Sequence, residues 1–128
     1  MSKEPEETPR PQDALERIFH EPNRMAIMST LCAAEKGLSF TEIKKTCNLT
    51  DGNLNRHLKV LSEAKAITIK KAFVNDKPRT TVSLSKLGLQ KFTEYLAALE
   101  EMLRMAKAAV SDEPAKETGG LSGEFATA

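Results

Sequence analysis

The segment from Thr50 to Ile67, T-D-G-N-L-N-R-H-L-K-V-L-S-E-A-K-A-I, constrains the fold more than any other stretch. At about 3.6 residues per turn, Leu54, Leu58 and Leu61 fall on one helical face. Gly52, Asn55, Arg56 and Lys59 fall on the opposite side. A helix that buries one edge and shows amide and basic side chains near its start meets the requirements for reading a DNA major groove. The rest of the chain is expected to position it.

The preceding residues supply a turn and a second helix. Ser39 to Glu42, S-F-T-E, is a capping-box signature that opens a short helix from Phe40 or Thr41 to Thr46, with Phe40 and Ile43 inward. Cys47-Asn48-Leu49 is then a turn, and Thr50 or Asp51 caps the next helix; Asp51, whose charge would repel phosphate, suits the cap better than a backbone contact. Short helix, three-residue turn and longer helix is the helix-turn-helix plan. Upstream, Asp13 is a plausible cap for a first helix carrying Leu15, Ile18 and Phe19. A second helix runs from about Pro22 to Glu35, with Met25, Ile27, Met28, Leu31 and Cys32 as its inner stripe and Gly37 as its stop.

Downstream of Ala66 the apolar period changes from 3.6 to 2. I-T-I-K-K-A-F-V and R-T-T-V-S-L alternate around the turn cluster Asn75-Asp76-Lys77-Pro78, which predicts a β-hairpin. Two strands alone are marginal, so Ile67, Ile69, Val82 and Leu84 are expected to pack on the helices. Ser85 caps a last helix to about Val110. There Leu89, Phe92, Leu96, Leu99, Leu103, Ala106 and Val110 follow a heptad seam, widened by Tyr95 and Met102.

With no Trp and one Tyr in 128 residues, the core of a single domain must be mostly aliphatic. Residues 1–12 and 111–128 are polar and small and read as disordered tails around a folded unit at 13–110, whose last helix spans 85–110. The formal net charge is only +1, but seven bases and three acids lie between Asp51 and Thr81, a local excess of four positive charges. No apolar run is long enough to span a membrane, and the polar N-terminus lacks an apolar signal region, so the chain is expected to be cytoplasmic with reduced thiols. Cys32 should be core, and Cys47, in the turn, is the better candidate of the two for a reactive thiol. His57 should be a packed, hydrogen-bonded residue, and neither His20 nor His57 has further ligands at useful spacing, so no metal or other cofactor is expected. No nucleophile–base constellation or phosphate-cradling glycine loop is present, which argues against an enzyme.

Several motifs resemble small prokaryotic winged helix-turn-helix transcriptional regulators of the multiple-antibiotic-resistance and arsenic-repressor-like (MarR/ArsR-like) group. They are H-E-P-N-R-M-A-I-M-S-T-L, G-L-S-F-T-E-I-K, L-T-D-G-N-L-N-R-H-L-K-V-L, F-V-N-D-K-P-R-T-T-V-S-L-S-K-L-G and Y-L-A-A-L-E. The resemblance implies a mainly α fold with a small β-hairpin, a winged helix-turn-helix domain and a long C-terminal dimerisation helix. It implies double-stranded DNA as the partner. The apolar stripe of the last helix is either a dimer interface or intramolecular core. A winged-helix core covers only its start, so the positions past about Leu96 call for a second copy and a homodimer. Two departures stand out: Asn48 and Lys65 occupy turn positions where the group often has Gly. Asn tolerates the left-handed region, whereas Lys65 is expected to carry strain or to end the helix differently. The cysteine and histidine sets by which the arsenic-repressor branch often binds metal are missing.

Within that frame Asn53, Asn55 and Arg56 are the base-reading candidates, since Arg pairs with G and Asn with A. Thr50 and Gly52 offer the helix N-terminus to a phosphate, and Lys59 positions the backbone. In the hairpin Lys71, Lys77 and Arg79, with Lys70 nearby, suit phosphates or a minor groove. The expected dimer surface is Leu15, Ile18, Phe19, Phe92, Tyr95, Leu96, Leu99, Met102 and Leu103. A small-molecule effector pocket lined by Phe92, Tyr95 and Met102 is compatible with this scheme. The competing view is a winged-helix protein–protein interaction module without direct DNA reading, which the modest net charge favours.

Overall fold

The computed structural model describes residues 16–111. The elements are α1 (Pro22–Cys32), β1 (Leu38–Ser39), α2 (Phe40–Cys47), α3 (Asp51–Glu63), β2 (Ile67–Val74), β3 (Lys77–Leu84) and α4 (Lys86–Ser111). The order helix, helix, helix, hairpin, long helix is the winged helix-turn-helix arrangement expected from sequence. The wing gains a strand that the sequence did not announce. β1 pairs antiparallel with β3 through Leu38–Val82 and Ser39–Thr81, so the sheet order is β1-β3-β2.

Local chemistry explains most of the boundaries. Glu21 is extended before Pro22, as a residue preceding proline prefers, and its carboxylate accepts from the Arg24 N–H at 2.8 Å to start α1. The Ser39/Glu42 capping box forms with both of its hydrogen bonds. Asn48 ends α2 in the left-handed region at φ 55°. Thr50, not Asp51, caps α3, its Oγ1 accepting from the Asn53 N–H at 3.1 Å. Asp51 stands inside the first turn and pairs with Lys44 of α2 at 2.7 Å, which joins the two helices of the motif. After α3, Lys65 takes φ 63°, the strained conformation anticipated for a non-glycine residue there.

Leu54, Leu58 and Leu61 of α3 meet Ile27, Met28 and Leu31 of α1, Ile43 of α2, and Ile67 and Val82 of the sheet in one core. Ile69 and Leu84 close its edge. The hairpin register pairs Ile67–Leu84, Ile69–Val82, Lys71–Thr80 and Phe73–Pro78, so these residues share the core-bearing face.

Three expectations change. Glu16–His20 forms a turn, closed by the His20 N–H on the Glu16 carbonyl at 3.1 Å, where a continuous first helix was expected; Asp13 and Leu15 lie outside the described residues, as do both expected tails apart from Ser111, which is the last residue of α4. α1 ends at Cys32, three residues early, and Cys32 is exposed at its last position instead of in the core. Lys77 and Pro78 belong to β3, because the turn is only Asn75-Asp76, both at positive φ (54° and 65°) as a tight type I′ hairpin requires.

Candidate nucleic-acid interface

Thr50, Gly52, Asn55, Arg56 and Lys59 are all exposed on α3, and Asn53 is half-exposed beside them. Arg56 donates to the Asn53 amide oxygen one turn back, so the two base-reading candidates hold each other in the free chain. A Cβ built on Gly52 meets no atom within 4 Å, leaving the start of the helix open to a close neighbour. The charge of Asp51, which would disfavour an anion there, is offset by Lys44.

The buried side of α3 is held from behind. Among the described residues His57 is the one buried polar or charged side chain, and its Nδ1 lies 3.1 Å from the Arg24 guanidinium. That guanidinium also donates to the Ile18 carbonyl at 2.7 Å. Burial holds the His57 imidazole below the ordinary histidine range, against an opposing pull from Glu21; Arg24 and Arg56 push it further down. The Glu21 carboxylate lies 4.0 Å from the same nitrogen. The shorter arginine contact decides the state: an arginine has no acceptor, so Nδ1 accepts and the ring is neutral. His57 is therefore the packed, hydrogen-bonded residue that was expected. Arg24 was missed from sequence, since its partner is 33 residues away.

In the wing, Lys70, Lys71, Lys77 and Arg79 are all exposed. The register places Lys70, Lys77 and Arg79 on one face and Lys71 on the other, so the ribbon is cationic on both sides. Phe73 was also missed. It extends the alternation of Ile67 and Ile69 by four residues, and the only apolar residue facing it is Pro78.

The dimer candidates divide. Phe19, Phe92 and Tyr95 are not on the surface but in the chain's own core, with ring centroids 5.4–5.9 Å apart. The Glu16–His20 turn covers them, fixed by His20 Nδ1 to the Tyr95 hydroxyl at 3.1 Å and Lys91 to Glu16 at 3.4 Å. Two of the three residues expected to line an effector pocket, Phe92 and Tyr95, are thereby buried in the chain's own core. Ile18 and Leu99 pack half-buried on the core and Met102 is half-buried, whereas Leu96 and Leu103 are exposed. Leu15 lies outside the described residues. Of the thiols, Cys47 is half-buried with Thr30 Oγ1 at 3.7 Å, and partial burial pushes the Cys32 thiol up, away from reactive thiolate. Among the described residues no three His, Cys, Asp or Glu gather as metal ligands, and no helix is long and apolar enough to cross a membrane.

A capped helix with an open polar face, set by a helix-turn-helix and flanked by a cationic ribbon, defines a winged-helix DNA-binding protein. The model of the winged helix DNA-binding domain family matches residues 23–103, and the chain belongs to that family. It is 32% identical over 91 residues to an uncharacterized protein of Methanocaldococcus jannaschii, covering 71% of this chain and 95% of the relative. Among solved structures it is similar to a transcriptional regulator homologue from Pyrococcus horikoshii (27% identity, TM-score 0.68, 74% of this chain and 94% of the other). It also shares its fold with the Staphylococcus aureus MepR–DNA complex (19% identity, TM-score 0.63, 88% and 86%) and with Bacillus subtilis YusO (16% identity, TM-score 0.65, 94% and 84%). The MarR-like resemblance read from sequence agrees with these matches, which point to a DNA-binding regulator and not to an enzyme.

Proposed function

We propose that the chain is a homodimeric transcriptional regulator that binds double-stranded DNA sequence-specifically, with α3 in the major groove and the wing on the neighbouring backbone or minor groove. The observation that carries this reading is the α3 face of exposed Asn55 and Arg56 with half-exposed Asn53, backed by a buried core and flanked by Lys71, Lys77 and Arg79. Arg and Asn side chains at the start of a helix discriminate base edges, while the lysines supply sequence-independent attraction.

Dimerisation is supported by α4. Leu89, Leu96, Leu103 and Val110 recur every seven residues and remain 41–58% exposed, a spacing that suits a helix-to-helix seam. Leu96 and Leu103, with Met102 and Leu99 at the edge, are the contact residues of this reading. Two α3 helices would then enter successive major grooves about 34 Å apart on a pseudo-palindromic site. A DNA ligand is in keeping with the cytoplasmic location expected from sequence.

Selection of bound sequences from a random duplex library, combined with sedimentation of the DNA-free protein, tests the reading. A two-fold symmetric consensus bound by a dimer supports it. Absence of duplex binding even at low salt would favour a winged helix that binds another protein instead.

A further inference from the structure

Beyond Ile69 the hairpin leaves the body of the domain, and every residue from Lys70 to Arg79 is exposed. Within it Phe73 is 75% accessible, more than any other large apolar side chain among the described residues. Phe73 is paired across the ribbon with Pro78. A two-residue turn makes Val74–Lys77 the hydrogen-bonded pair, so Phe73–Pro78 is a non-hydrogen-bonded one, where facing side chains lie closest. The missing N–H of Pro78 therefore costs no bond to β2. On its other side β1, only two residues long, does not reach that far. The tip is thus a firm ribbon that presents a ring backed by a proline.

Its surroundings narrow what such a ring can meet. Lys70, Lys71, Lys77 and Arg79 surround it, against a single acid, Asp76, which sits in the turn and not on a rung. That charge suits a polyanion. The face carrying Phe73 and Lys71 continues from Ile67, Ile69 and Val82, the side of the sheet on which α3 packs. The ring is thus directed to the side of the sheet that carries α3.

We propose that the wing tip is an apolar wedge for the DNA minor groove. Phe73, braced by Pro78, packs against sugar and base edges beside the major-groove site, while Lys71, Lys77 and Arg79 hold the flanking phosphates. Phe and Pro are among the side chains that pry base steps apart from the minor groove. The groove is about 6 Å wide, which admits a ring but not the ribbon behind it. This inference rests on the duplex-DNA reading above and adds a contact that charge alone does not supply.

The test uses the full chain and the duplex selected from the random library, with 2-aminopurine placed in the base steps flanking the major-groove contact. Phe73→Ala, Phe73→Leu and Lys77→Ala are compared with wild type over a salt series, with circular dichroism as a check on folding. Because Phe73 buries little, both of its variants should fold normally. Phe73→Ala should lose about tenfold or more in affinity with an unchanged salt slope. It should also lose the fluorescence rise that reports unstacking, and Phe73→Leu should retain part of both. Wild-type affinity and fluorescence in Phe73→Ala would overturn the wedge. So would an affinity loss accompanied by a lower sedimenting mass of the DNA-free protein, which would assign Phe73 to a protein contact. If wild type itself binds no duplex at low salt, the DNA reading fails with it, a result distinct from failure of Phe73 alone.

Discussion

The Arg24 guanidinium donates to His57 Nδ1 across 3.1 Å and so ties α1 to the inner face of α3. The same side chain reaches the Ile18 carbonyl, so the N-terminal turn, α1 and α3 share one polar fastening inside an otherwise apolar core.

That fastening makes stability depend on pH. His57 titrates below its ordinary value of 6.5, chiefly because of burial, so the unfolded chain binds its proton first. The neutral ring contributes stability fully above about 6.5, and this is lost as pH falls through the folded-state value. Denaturation midpoints of wild type should therefore decline below about pH 6.5. His57→Gln, which keeps an acceptor for Arg24 but cannot be protonated, should decline less over that window. Parallel curves for the two proteins would show that His57 contributes nothing to the pH dependence.

Base reading and backbone attraction should separate by mutation. Arg56→Ala is expected to weaken the cognate duplex by about tenfold or more and to relax preference at one base position. Lys77→Ala should weaken all duplexes alike and lower the salt slope by about one unit. Binding titrations at several salt concentrations distinguish these patterns, and equal affinity of wild type and Arg56→Ala for the cognate site would remove Arg56 from the reading role.

The two glycines that frame α3 and α4 should respond in opposite ways. A Cβ at Gly88 would lie 1.9 Å from the Ala66 carbonyl oxygen, a backbone atom with nowhere to retreat. Gly88→Ala should lower the melting temperature by about 5 °C or more. Gly52→Ala meets open space in a helical turn and should stabilise the fold by up to about 0.5–1 kcal/mol. If Gly52 admits a phosphate, the same variant loses DNA affinity while gaining stability. Thermal melts and titrations on the same samples read both effects.

The exposed heptad of α4 gives an association test. Leu103→Glu places a charge at a position that is 52% exposed in the single chain, so the fold should survive it. Sedimentation should shift from dimer to monomer, and affinity for a two-fold site should fall far more than affinity for a half-site. An unchanged sedimenting mass would exclude this part of α4 as the seam.

Where local chemistry decides, the sequence was sufficient: the Ser39 capping box, the left-handed Asn48, the amphipathic α3 and the alternation of β2 and β3 all involve neighbours within a few residues. Which side of α4 turns inward was not legible, because its apolar stripe is wider than one face. Phe92 and Tyr95 are inward only because Phe19 and His20, more than seventy residues earlier, fold over them. β1 is two residues long, too short for any period to show. Asp51 was a choice between adjacent residues able to cap, and Thr50 took that role while Lys44 engaged the carboxylate. Of the candidate site, the exposed α3 face followed from periodicity. Phe73 did not stand out, because alternation marks an apolar strand residue as inward without saying how far the body beneath it extends.

The aromatic cluster beneath the Glu16–His20 turn also has a practical consequence. The chain has no tryptophan, and Tyr95 is its single tyrosine, buried between Phe19, Phe92 and His20. Ultraviolet emission from this protein thus comes from essentially one phenol at one address. Any event that lifts the N-terminal turn from α4 wets that phenol, and the molecule signals it without a label.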